Sequence, residues 1–211
     1  MSPAEWYAAR AGGIVAYVLL TAVVLVGLTL SGKERIDGWP RFAIEDVHRF
    51  LGALTGLFIS VHVFALAVDA EAKLPLGSLV VPFVSWYRPL WTGLGIVAAE
   101  LLLALAVANH YKARLSYRTW RRLHYLNFVV WIGATAHGIF SGTDTGSLPF
   151  AVVYGAAIAS VVALTARRVL RTITPAGTAS TSDVSGSDPQ TGYARSGASA
   201  AAMASRYSAP S

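Results

Sequence analysis

Four histidines lie in two apolar stretches at nearly matched intervals. His48 and His62 are 14 residues apart on one stretch, and His124 and His137 are 13 apart on the other. An ionisable side chain surrounded by hydrocarbon is costly and usually marks a function. Neutral imidazole is also the commonest protein ligand for metals. Two pairs at two matching depths point to two metal centres stacked across a membrane, each held by one histidine from each stretch.

The remaining residue types narrow the metal chemistry. The chain has no cysteine, which excludes disulfides, thiolate-held iron–sulfur clusters, covalently attached c-type haem and cysteine-ligated haem. Its methionines are Met1 and Met203, outside every apolar stretch, so an axial thioether is not expected. The fifth histidine, His110, ends an apolar run just before a basic loop and reads as an interfacial residue. Haem with its iron held by two histidines is the natural candidate.

The elements that must position these side chains follow from composition. Of 211 residues, 55% are hydrophobic and 13% charged, too apolar for an ordinary soluble domain. Segments of about twenty apolar residues occur at roughly 11–30, 46–69, 89–109, 120–140 and 148–170. Each is long enough to cross a hydrocarbon core of about 30 Å as a helix. The expectation is an all-α membrane protein, a bundle of five transmembrane helices with haem between the second and fourth. Its partner is lipid, and nothing points to nucleic acid. The domains are read as a short N-terminal segment (1–10), a membrane haem domain (11–171) and a cytoplasmic tail (172–211). The tail is dominated by Ser, Ala, Gly and Thr, a composition of disordered chain. The first apolar segment is expected to be retained, since it is long for a signal-peptide core and no clear small-residue cleavage site follows it.

Basic residues set the orientation. Lys33, Arg35, Arg41 and Arg49 fall between the first two segments, and Lys112, Arg114, Arg118, Arg121 and Arg122 between the third and fourth. Arg167, Arg168 and Arg171 close the fifth, whereas the opposite side holds only Arg10, Lys73 and Arg88. The chain is expected in a plasma (inner) membrane with its N-terminus outside and its C-terminus in the cytoplasm. His48 and His124 then share an inner level, and His62 and His137 an outer level about 20 Å away. Fourteen residues return to almost the same helix face, but thirteen leave two side chains about 140° apart. The fourth segment therefore bends, eased by Gly133 or Gly138, or offers its histidines to haems on different sides.

Other residues carry weaker signals. Gly52 and Gly56, one and two turns beyond His48, serve either close helix packing or the fit of a flat macrocycle. Arg49, Arg121 and Arg122 neighbour the inner histidines and are candidates for haem propionates. Trp86, Tyr87 and Arg88 border the outer face and are candidates for outer propionates or an acceptor. Glu100, midway along the third segment, is expected to hydrogen-bond a neighbouring helix, with a proton relay as the alternative. Each ligand imidazole needs an acceptor for its other nitrogen, supplied by backbone carbonyls or hydroxyls such as Ser60. SGTDTG at 141–146 reads as an exterior turn, with Asp144 a candidate for guiding a cation or a partner.

The stretch HRFLGALTGLFISVH from His48, and WRRLHYLNFVVWIGATAHG from Trp120 to Gly138, resemble the ferric reductase-type transmembrane domain. That group includes ferric reductases, NADPH oxidases and the haem membrane subunit of the bacterial periplasmic methionine sulfoxide reductase system. The resemblance covers about residues 11–170 and implies two stacked b haems, with His48 paired to His124 and His62 to His137. Many members carry a flavin and nicotinamide module after the last helix. The stretch after the fifth segment here has no Gly-rich nucleotide fingerprint and no alternating strand pattern. Any flavin is thus expected on a partner.

The expected function is transmembrane electron transfer, as the haem-carrying subunit of an oxidoreductase. A separate cytoplasmic flavin or iron–sulfur reductase gives the electron, and the acceptor is left open among ferric iron, oxygen, quinone, a flavin-bearing partner and another extracytoplasmic acceptor protein. The alternatives are a haem-free membrane anchor and a proton or ion transporter using the histidines and Glu100.

Overall fold

The computed structural model describes residues 3–31, 38–69, 75–143 and 146–173. Hydrocarbon offers no partner to backbone N–H and C=O groups, so a spanning chain must satisfy them internally. Every regular element among the described residues is accordingly helical: α1 (Pro3–Ser31), α2 (Arg41–Val68), α3 (Leu76–Val80), α4 (Pro89–His110), α5 (Tyr117–Tyr125), α6 (Asn127–Ser141) and α7 (Leu148–Ile173), with a 3₁₀ turn at Lys112–Arg114. Hydroxyls within the helices are satisfied the same way. Thr21, Thr29, Thr55 and Ser60 each donate to the carbonyl four residues back, at 2.8–2.9 Å.

Among the described residues, four helices are long and apolar enough to cross a membrane: Trp6–Ser31 of α1, α2, α4, and Leu148–Arg171 of α7. The protein is an integral membrane protein. The fourth expected crossing departs from the sequence reading, because it is two helices, α5 and α6, meeting at Leu126. There the Leu126 N–H turns back to the Leu123 carbonyl at 2.9 Å, tightening the last turn of α5. Asn127 Nδ2 donates to the His124 carbonyl at 2.8 Å, replacing a lost helical bond. The break falls between His124 and His137 and removes the need for both to share one straight helix. Gly133 and Gly138 both lie inside unbroken α6. Gly133 lets α6 approach Ala98 and Leu94 of α4, and Gly138 sits under the Tyr154 hydroxyl of α7.

Helix α1 is the centre of the bundle. Tyr17, Leu20, Val24 and Leu28 form its buried stripe, meeting Ala98 and Leu105 of α4, Val130 and Trp131 of α6, and Ala157 and Val161 of α7. A buried polar thread fixes the register. Trp131 Nε1 donates to Thr21 Oγ1 at 3.0 Å, and Thr135 Oγ1 lies 3.2 Å from the Tyr17 hydroxyl. The Tyr17 and Tyr154 rings pack at 4.8 Å. Helix α2 packs along α1, α4 packs along α6, and a smaller α1–α6 contact joins the two pairs. The α1 stripe also reaches Ala98 and Leu105 of α4, and the two pairs meet again at the histidines. Packing groups the chain into Met1–Leu170 and Arg171–Ser211. Of the second group only 171–173, the end of α7, are described. The tail reading, and the readings of Lys33, Arg35, Lys73 and Asp144, fall outside the described residues.

Candidate functional site

Helix α2 presents His48 two turns from its start and His62 nearly four-fifths of the way along. Helix α5 carries His124 next to its last residue, and α6 carries His137 near its end. The rings of His48 and His124 face one another with centroids 6.2 Å apart and planes at 55°. Those of His62 and His137 are 6.3 Å apart with planes at 75°. A metal–imidazole nitrogen bond is roughly 2 Å, so two such bonds plus two ring radii span about 6 Å. Both separations therefore suit one metal ion between each pair. Along α2 the two levels are about 21 Å apart by helical rise.

The rings of the His62–His137 pair are held from behind. His62 Nδ1 lies 2.6 Å from the Ala9 carbonyl of α1, and His137 Nδ1 lies 3.0 Å from the Trp91 carbonyl of α4. A carbonyl only accepts, so each Nδ1 carries the proton and each Nε2 keeps its lone pair for a metal. Glycines make these approaches possible. A Cβ at Gly13 would lie 3.0 Å from His62 Nδ1, one at Gly12 would lie 3.3 Å from the His62 backbone nitrogen, and one at Gly95 would lie 2.5 Å from His137 Nδ1. Ser60 takes no part, because its hydroxyl bonds the Gly56 carbonyl of its own helix.

The His48–His124 pair is held differently. Gly27 of α1 lies against His48, where a Cβ would come within 3.2 Å of Cε1. The His48 Nδ1 is buried without a hydrogen-bond partner of good geometry. His124 stacks on Trp120 at 5.2 Å and 24°, and Trp120 Nε1 donates to Asn109 Oδ1 at 3.3 Å. The sequence reading missed Gly12, Gly13, Gly27 and Gly95 and the two carbonyls. The available signal was a Gly-Gly pair inside an otherwise apolar helix, where glycine is costly without a packing reason.

The other expected residues are dispersed. At Gly52 and Gly56 a Cβ would meet nothing within 4 Å, so neither serves close helix packing. Arg49 pairs with Asp46 at 3.4 Å, the Arg121 guanidinium donates to the Tyr125 hydroxyl at 3.2–3.3 Å, and Arg122 is exposed. Glu100 is exposed on the outward side of α4 and not hydrogen-bonded to a neighbouring helix, because the inward stripe of α4 falls on Ala98 and Leu105. His110 is exposed at the end of α4, edge-on to Tyr111. At the other end of α4, Tyr87 donates to the Ser141 carbonyl at 3.0 Å and Arg88 to that of Phe140, while Trp91 stacks on Phe140 at 4.1 Å. These bonds clamp the start of α4 to the end of α6, next to His137. Trp86 is exposed.

The donor set constrains what the pairs hold. Among the described residues no three His, Cys, Asp or Glu side chains converge, so no cage for a bare ion is built. Two opposed imidazoles would hold a metal only if a bound group brought the remaining ligands with it. Haem fits that donor set.

No solved structure matches the chain. The sequence profile of the ferric reductase like transmembrane component matches residues 12–135, which include His48, His62, His124 and the glycines of α1 and end two residues before His137. With more than half its length matched, the chain belongs to the ferric reductase-like transmembrane component family.

Proposed function

We propose that this protein is a transmembrane electron conduit, the haem-carrying subunit of an oxidoreductase. Ferric reductase-like domains generally bind haem, and the family points to electron transfer across the membrane. The observation that carries the two-haem reading is the pair of matched ring separations, 6.2 and 6.3 Å, at two depths of one bundle. When bound, haem supplies a one-electron iron couple at each level.

The protein's own residues do the rest. His48 and His124 hold the inner iron, and His62 and His137 the outer. Ala9 and Trp91 fix the tautomer and plane of the outer rings. The apolar stripe of α1 with Val130 and Trp131 keeps water from the space between the levels. Gly52 and Gly56 leave room beside His48, a use supported by the open space at both. Arg49 follows His48 directly in sequence, and Arg121 and Arg122 lie within a helical turn of His124; these three are the propionate partners of this reading.

The donor is a separate cytoplasmic flavin or iron–sulfur reductase, and the acceptor is ferric iron or an extracytoplasmic protein. The N-terminus lies outside the plasma membrane. A reduced-minus-oxidised visible spectrum with haem quantitation tests the core of this reading. The expected result is a red protein with about two haems per chain. A colourless, iron-free protein from haem-replete cells overturns it and returns the choice to a membrane anchor or a transporter.

A further inference from the structure

We infer that the His62–His137 site is built to hold its imidazoles crosswise, and that Gly95 and Gly13 are the positioning residues that permit it. The inference rests on the two-haem reading and deepens it. Both Nδ1 atoms of this pair are tied to main-chain carbonyls on two different helices, α1 and α4. Those carbonyls cannot move without moving the helices, so each ring is fixed in rotation about its Cβ–Cγ bond. The planes stand at 75°. The His48–His124 pair lacks this arrangement. One ring has no well-formed Nδ1 bond, the other is set by a stacked indole, and the planes stand at 55°.

The glycines are what the crosswise setting requires. An alanine methyl at 95 would lie 2.5 Å from His137 Nδ1, closer than real Cβ contacts allow, and one at 13 would lie 3.0 Å from His62 Nδ1. Either pushes an imidazole off its carbonyl. Loss of such an outer-shell partner typically costs roughly 10–100-fold in metal affinity. Crosswise axial imidazoles also leave a ferric iron close to fourfold symmetry, so its low-spin resonance is strongly anisotropic. Planes nearer parallel give a more rhombic signal.

The test is electron paramagnetic resonance and haem quantitation on full-length oxidised protein and on Gly95→Ala, Gly13→Ala and Gly155→Ala. The last is the control, because a Cβ at 155 meets nothing within 4 Å. Wild type is expected to show two low-spin signals, the more anisotropic one from His62–His137. Gly95→Ala is expected to lower haem affinity at that site roughly 10–100-fold and to remove that signal while keeping the other. Gly13→Ala is expected to do so more weakly, and Gly155→Ala not at all. Both signals unchanged in Gly95→Ala and Gly13→Ala overturn the inference, as does selective loss of the less anisotropic signal. Failure of the underlying reading looks different, since wild type then carries no haem.

Discussion

At the scale of single residues, the histidines divide the labour and their removal should be separable. His62→Ala or His137→Ala is expected to halve the haem per chain and spare the inner site. His48→Ala or His124→Ala should do the converse, read by pyridine haemochrome assay. Thr21→Val tests the buried thread between α1 and α6. It leaves the Trp131 N–H without its acceptor, and an orphaned buried donor costs about 1–3 kcal/mol, so thermal stability in detergent should fall. The four histidines were legible in the sequence because an imidazole in an apolar run is conspicuous and the two intervals agree. Their supports were not. Ala9 and Trp91 act through backbone carbonyls, which carry no side-chain signature, and a glycine shows its purpose only when the ring above it is known. Glu100 misled for a related reason, since its place along α4 could be read but its inward or outward direction could not.

At the scale of elements, run length and hydropathy located the long helices, while the interruption at Leu126 escaped notice. The mismatch between thirteen residues and the helical repeat demanded a bend, and glycine was the obvious suspect. The fold instead uses a tightened turn and the Asn127 side chain, a residue type that competes with helical bonding wherever it finds a free carbonyl. Asn127→Ala removes that bond, worth about 0.5–1.5 kcal/mol. The expected outcome is a shifted His124 and an altered inner-haem spectrum, with the outer haem unchanged in the same optical titration. Equal disturbance of both haems would show that the joint does not decouple the two levels.

At the scale of the whole molecule, the charge distribution predicts which loops face the cytoplasm, and the absence of cysteine makes the prediction simple to test. A single cysteine at Arg118 is expected to resist a membrane-impermeant maleimide in intact cells and to react after lysis. One at Ser147 is expected to react in both. The reverse pattern would invert the orientation and the direction of electron flow. Helix α1 has a further consequence. It contributes no imidazole, yet its carbonyl and three of its glycines touch His62 at one end and His48 at the other. A relative that kept every ligand but lost this opening helix would pass any search keyed on the coordinating side chains and still be unable to aim the two imidazoles of α2. Kinship in this group is better judged by the ligand-free helix that props the rings than by the ligands themselves.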